Sequence, residues 1–272
     1  MSDIFFERSK NYEIKDNKEV KVTKYKNGEI EVTGAKVKNN NLQTYKKINK
    51  DEYVNTITGE IKQYNTSEYK TKESIKRAMN KLRKILKNNF FGKKNELYIT
   101  LTCEENITNY DIVHKKAESI FNTIKKEYGV EYVYVMEQQE RECWHIHAMI
   151  KGTENKTLYI NNEDICKMWE LGYTKTERIK TEQDCENIIE YITKIGKQKS
   201  KIERSKKAYY KSRGIEKAKT EKMEYKEFKE KVGETATKES TTALHIRSTH
   251  TGNIVNTHIK ETWREDKHNE RD

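Results

Sequence analysis

The sequence predicts an α+β domain: a four-stranded antiparallel sheet in the order β-α-β-β-α-β, with helices on one face, followed by one further helix. Three observations carry this. Short runs rich in β-branched and aromatic residues recur at 97–103, in "YVYVMEQQ" and around Ile146. Apolar stripes at helical spacing lie between them. The polar "ERE" at 140–142 reads as a hairpin connection between two of the strands.

Taken in order, residues 1–70 alternate β-like runs with turns, "NGEIEVTG" at 27–34 and "TGEIKQY" at 58–64 reading as hairpin tips. They form a β-rich appendage or arm without a chemical motif. From Thr71 a helix begins, with Ile75, Met79, Leu82 and Leu86 on one stripe and a basic face elsewhere. The strand "LYITLTC" follows, then a helix from about Asn109, striped by Val113, Ala117, Ile120, Phe121 and Ile124 and stopped near Gly129. After the hairpin comes a short helix at 161–172, with Ile165, Met168 and Trp169 inward and Gly172 at its end, and then the strand 173–179. A sheet of this order is expected to leave its second face free for a ligand, as nucleic-acid-binding domains of the same topology do. The last domain helix opens at the capping residue Thr181 and packs through Cys185, Ile188, Ile189, Ile192 and Ile195. Tyr191 falls about 100° round it from Ile192 and Lys194 about 160°, so Tyr191 stands at the border of packed face and solvent.

The domain boundaries read as 1–70, 71–200 and a basic C-terminal extension, 201–272, in which "HIRSTHTGNIVNTHIKETW" looks like a hairpin turning at Thr251-Gly252-Asn253. Of 272 residues, 33% are hydrophobic and 36% charged, which favours one compact core with polar additions. The net charge of +11 points to a polyanionic partner, nucleic acid before membrane. Residues 197–222 hold eleven Lys or Arg against three Glu, interrupted by Tyr209 and Tyr210. That mixture suits phosphate contact with base stacking, and equally a solvated tail. Candidate DNA contacts are Arg141, Lys197, Lys199, Arg204, Lys206, Lys207, Lys211 and Arg213. Cys103, Cys143, Cys166 and Cys185 are widely spaced with no C-x-x-C, arguing for a reducing, cytoplasmic setting over a disulfide framework or structural zinc. Neither a signal peptide nor a membrane span is expected.

The chemistry concentrates at 137–147. His145 and His147 flank Ile146, so in a strand both imidazoles point to one side. With a turn centred on Arg141, Glu137 lies opposite His145. Two imidazoles and a carboxylate are a ligand set for Mg²⁺ or Mn²⁺ in an open catalytic site.

The "ITLT" strand at 99–102, the H-x-H strand and the helix bearing Tyr191-x-x-Lys194 stand in one order. Together they resemble the HUH endonuclease superfamily, specifically the single-tyrosine rolling-circle replication initiator (Rep) proteins of bacterial plasmids and phages. The resemblance covers about residues 71–200; "WELGY" and "YYKSRG" are also similar to stretches of such initiators. It implies a ferredoxin-like or RRM-like HUH fold with a tyrosine-bearing helix, with His145 and His147 as cation ligands. Glu137 would be the third ligand, with Gln139 on the same strand face and an acid elsewhere as alternatives. Tyr191 would be the nucleophile that nicks and rejoins single-stranded DNA through a 5′-phosphotyrosine, with Lys194 beside it. The implied partners are single-stranded DNA at a replication origin and a host helicase and polymerase. No G-x-x-x-x-G-K-[ST] occurs, so no nucleotide cofactor is expected. The rival readings are a single-tyrosine transposase and a non-catalytic nucleic-acid-binding module.

Overall fold

The computed structural model describes residues 4–9, 13–35, 45–49, 51–63, 72–104, 107–138, 143–154, 156–198, 202–203, 205–232, 235–248 and 254–266. It is an α+β structure with antiparallel sheets and, among the described residues, five helices. In chain order the strands β1 (Ile4–Ser9), β2 (Glu19–Lys24), β3 (Glu29–Ala35), β4 (Tyr45–Lys47), β5 (Glu52–Asn55) and β6 (Ile61–Gln63) come first. They are followed by α1 (Lys72–Lys87), β7 (Glu96–Cys103), α2 (Tyr110–Tyr128), β8 (Val130–Gln138), β9 (Trp144–Gly152), α3 (Asn162–Trp169), β10 (Gly172–Arg178), α4 (Glu182–Gln198) and β11 (Tyr210–Lys211). Last come β12 (Lys219–Glu224), α5 (Tyr225–Val232), β13 (Ala236–Ser248) and β14 (Ile254–Glu265). The chain divides into two compact units, Met1–Thr66 with Ala218–Asp272, and Ser67–Lys217. No helix among the described residues is long and apolar enough to cross a membrane.

In the first unit, six strands pair in the order β1-β13-β14-β3-β2-β12, and β4-β5-β6 form a small separate sheet. The expected tips are there: β2 turns into β3 through Gly28 at φ 80°, and β5 into β6 through Gly59 at φ 74°. α5 seals one side of the large sheet by setting Tyr225, Phe228 and Val232 against Val20, Val22, Ile30 and Val32. β13 and β14 pair antiparallel; the turn expected at 251–253 lies outside the described residues.

The second unit holds the elements expected from 71 to 200 and also residues 202–217 of the basic stretch. Its sheet order is β10-β7-β9-β8-β11, each pairing antiparallel. Alternation along β7 decides which layer each residue joins. Leu97, Ile99 and Leu101 meet the stripes of α2 and α3, including Phe121, Ile124, Ile165 and Trp169. Tyr98 faces the other way and, with Val133, Val135 and Met149, meets α1 and α4. The second face is therefore not left bare, as the sequence suggested. Its apolar patch is covered by α1 and α4, and the open part is the end carrying the H-x-H pair.

Local chemistry sets the helix ends. Asn109 caps α2 by accepting from the Asp111 and Ile112 amides, and Gly129 ends it at φ 60°. α3 stops earlier than expected, at Glu170 in the left-handed region (φ 57°), while Gly172 opens β10. That glycine is required: a Cβ there would lie 2.2 Å from the Glu104 amide nitrogen. Thr181 caps α4, its hydroxyl accepting from the Asp184 amide at 3.0 Å while the Asp184 carboxylate accepts from the Thr181 amide at 3.1 Å.

Candidate active site

β9 runs between β7 and β8, so each histidine has a neighbour on both sides. His145 stands opposite Thr102 and Glu137, and His147 opposite Thr100 and Val135. The Glu137–His145 register is the one a turn centred on Arg141 requires, although residues 139–142, with Arg141 and the alternative ligand Gln139, lie outside the described residues. The carboxylate itself reaches diagonally. Glu137 Oε2 is 3.3 Å from His147 Nε2, a contact between i and j+2 neighbours that sheet geometry permits. Both groups are withdrawn from water, His147 at 3% exposure and Glu137 at 8%.

The other nitrogen of His147 is held from the neighbouring strand. Tyr98 Oη lies 2.8 Å from Nδ1, with the two rings 6° from parallel. Burial pushes the Tyr98 phenol up to about 12, so it stays a neutral hydroxyl at any working pH. His145 is partly buried on the same face, its ring centroid 6.2 Å from that of His147.

α4 brings the phenol. Ile189, Ile192 and Cys185 bury its underside, leaving Tyr191 at its edge with 50% of its surface exposed. The Tyr191 ring stands edge-on to His147 at 5.5 Å between centroids and 89° between planes. Tyr191, His145, His147, Tyr98, Thr100 and Tyr173 line one cleft of about 580 Å³. A neutral phenol is a weak nucleophile with an ordinary pKa of ~10, so attack here needs its proton removed or its anion stabilised.

Whether the residues fit a divalent ion turns on the donor set. Two ligands about 2.1 Å from an octahedral ion and at right angles stand about 3.0 Å apart, close to the 3.3 Å between Glu137 Oε2 and His147 Nε2. A buried carboxylate beside an imidazole whose far nitrogen is already engaged is ligand-like chemistry. Among the described residues, however, no three His, Cys, Asp or Glu side chains are drawn together closely enough to hold an ion. The set fits as a pair, with His145 lining the same cleft.

The remaining expected residues are dispersed. Lys194 is exposed one turn beyond Tyr191 and does not line the cleft. Lys199, Arg204 and the side chain of Lys197 lie outside the described residues. Residues 205–217 are docked on the sheet edge, which excludes a solvated tail for that part. Tyr210 pairs with Tyr134 in β11, stacks on its ring at 4.9 Å and bonds the Tyr110 hydroxyl at 2.6 Å, so it is turned inward and not toward a base. Lys206 pairs with Asp111 and lies 4.3 Å over the Tyr110 ring, and Lys207 lies 5.6 Å over Tyr210. Lys211 donates to the Ile215 carbonyl at 2.8 Å, a structural use of its charge. Arg213 is exposed. Lys206, Lys207 and Glu137 line a second cleft of about 570 Å³. The sequence reading missed Tyr98, Thr100 and Tyr173; alternation along 98-100-102 is the signal that places the first two on the histidine face.

Residues 96–196 match the family model of a replication-associated protein of the ORF2 type. The match opens at the first residue of β7 and ends within α4, so it spans every cleft residue named above. This segment supports a role in replication, and it lies wholly within the second unit. Comparison with curated proteins gives no match.

Proposed function

We propose that the protein is a replication initiator of the HUH single-tyrosine class that nicks and rejoins single-stranded DNA at an origin, its second unit being the ferredoxin-like endonuclease domain. The observation that carries this reading is the half-exposed Tyr191 phenol set edge-on to the buried His147–Glu137 pair in one cleft. The β-α-β-β-α-β order and the match to replication-associated proteins over 96–196 support it.

In this mechanism Tyr191 Oη forms a bond to the scissile phosphorus while the bond from phosphorus to the 3′ oxygen breaks. The phenol proton is lost, and the departing 3′ oxygen takes one up. The 5′-phosphotyrosine keeps the phosphodiester's energy, so a later 3′-hydroxyl reverses the step with no nucleotide consumed. A Mg²⁺ or Mn²⁺ ion held by His147, Glu137 and His145 would supply charge to the phosphate and the leaving oxygen. α4 packing holds the phenol at the cleft, which lowers the entropic part of the barrier. Exposed Lys194 offers a compact cation to the incoming strand. Opening the duplex falls to a host helicase, and extension to a host polymerase.

Tyr191→Phe tests this directly. The variant keeps the packing, so it should bind a single-stranded origin oligonucleotide as before and form no covalent adduct. An adduct formed by the Phe protein would sink the assignment.

A further inference from the structure

Four side chains form a continuous row beneath the cleft: the Thr100 hydroxyl bonds the Tyr98 hydroxyl, which meets His147 Nδ1 at 2.8 Å, while His147 Nε2 meets Glu137 Oε2 at 3.3 Å. A neutral imidazole carries one proton, so one of its nitrogens donates and the other accepts. Beside a carboxylate, Nε2 carries the proton and donates to Glu137, and the Tyr98 hydroxyl donates to Nδ1. To present a lone pair to a cation instead, Nε2 must be bare and Nδ1 protonated. Tyr98 must then accept from Nδ1 and turn its own proton to Thr100. The imidazole releases one proton at Nε2 and takes one up at Nδ1, so its net charge is unchanged and Tyr98 never ionises.

A backbone carbonyl or carboxylate at the Tyr98 position could accept only, and would fix a single tautomer. A hydroxyl serves both directions without moving. Resting on the metal reading above, we propose that Tyr98 is a positioning residue that keeps His147 oriented and bonded in both tautomers, allowing the row to reverse when a divalent cation enters. Without the hydroxyl, Nδ1 of a side chain with almost no solvent contact loses its partner.

The test uses the full chain and Mn²⁺ alone, without DNA, following free Mn²⁺ by electron paramagnetic resonance. Tyr98→Phe keeps the ring and its stack and should weaken Mn²⁺ binding on the order of tenfold or more. Tyr132→Phe, which deletes a hydroxyl bonded to Asn122 in the opposite layer, is the matched control and should bind within twofold of the parent. A Tyr98→Phe protein that binds within twofold of the parent overturns the proposal while leaving the metal reading intact. A parent protein that takes up no Mn²⁺ overturns both. Independently, ¹⁵N imidazole spectra should show the His147 proton moving from Nε2 to Nδ1 on saturation with Mg²⁺; the same tautomer before and after overturns the reversal.

Discussion

The height of α4 above the sheet, and with it the reach of Tyr191, is set where α4 crosses α1. Gly196 meets Met79 there: a Cβ at 196 would lie 2.2 Å from Met79 Sδ and 3.1 Å from its Cγ, and Met79 is fully buried. Gly196→Ala therefore forces the Met79 side chain to move, an overpacking cost of about 1–3 kcal/mol. Against this, alanine in a helix gains about 1 kcal/mol over glycine. The net expectation is a loss of about 0–2 kcal/mol. Met79→Ala alone should cost about 2–5 kcal/mol through the cavity it leaves. In the Met79→Ala background the new methyl has space, so Gly196→Ala should there stabilise by about 1 kcal/mol. Urea unfolding of the four proteins gives the coupling, expected at about 1–3 kcal/mol. Effects that add to within about 0.5 kcal/mol would show that the two residues do not limit each other and would refute the reasoning.

Two other outcomes follow from the same unit. Burial pulls the His114 pKa down, with its ring stacked on Tyr110 and Nε2 lacking a hydrogen bond. The unfolded chain then binds the proton more readily, so this contribution is complete above the unfolded value of about 6.5 and is lost as pH falls from there toward the lower folded value. His114→Phe should keep the stack and remove that part of the acid loss in thermal melts between pH 5 and 7.5, and parallel profiles would contradict it. For DNA affinity, Lys207→Gln and Arg213→Gln should each reduce the salt slope of single-strand binding by about 0.7 if the side chain meets a phosphate. Lys211→Gln should lower stability and leave the slope alone, since its ammonium is spent on backbone carbonyls; a slope change for Lys211 equal to the others would contradict that division.

Much of the site was legible in the sequence because its elements are locally coded. The stripes of α2 and α4 and the caps at Asn109 and Thr181 are periodicity and capping signals, and each appears where those signals put it. The Glu137–His145 register followed from a turn centred on Arg141. What that register could not convey is where the carboxylate reaches. Strand alternation fixes the face, but the diagonal contact with His147 depends on side-chain torsions that carry no pattern. Tyr98 escaped notice for a related reason: "YITLT" reads as one strand, and only its pairing with β9 shows which residues stand beside the histidines. The stripe of α1 announced a buried face without saying against what, so its place over Tyr98 and Met149 was not readable. The pairing of β12, β13 and β14 with β1, β2 and β3 joins residues some two hundred positions apart and has no local signature.

The central claim is that Tyr191 is the atom donor in strand cleavage, and the most direct measurement is the mass-spectrometric mapping of the DNA-linked peptide. The unmodified protein is incubated with single-stranded DNA and Mn²⁺ and digested with trypsin. The account predicts that the nucleotide mass is carried by the peptide running from Thr181 to Lys194, whose single tyrosine is Tyr191. Nucleotide mass on any other peptide, or cleaved DNA with no linked peptide, would contradict it.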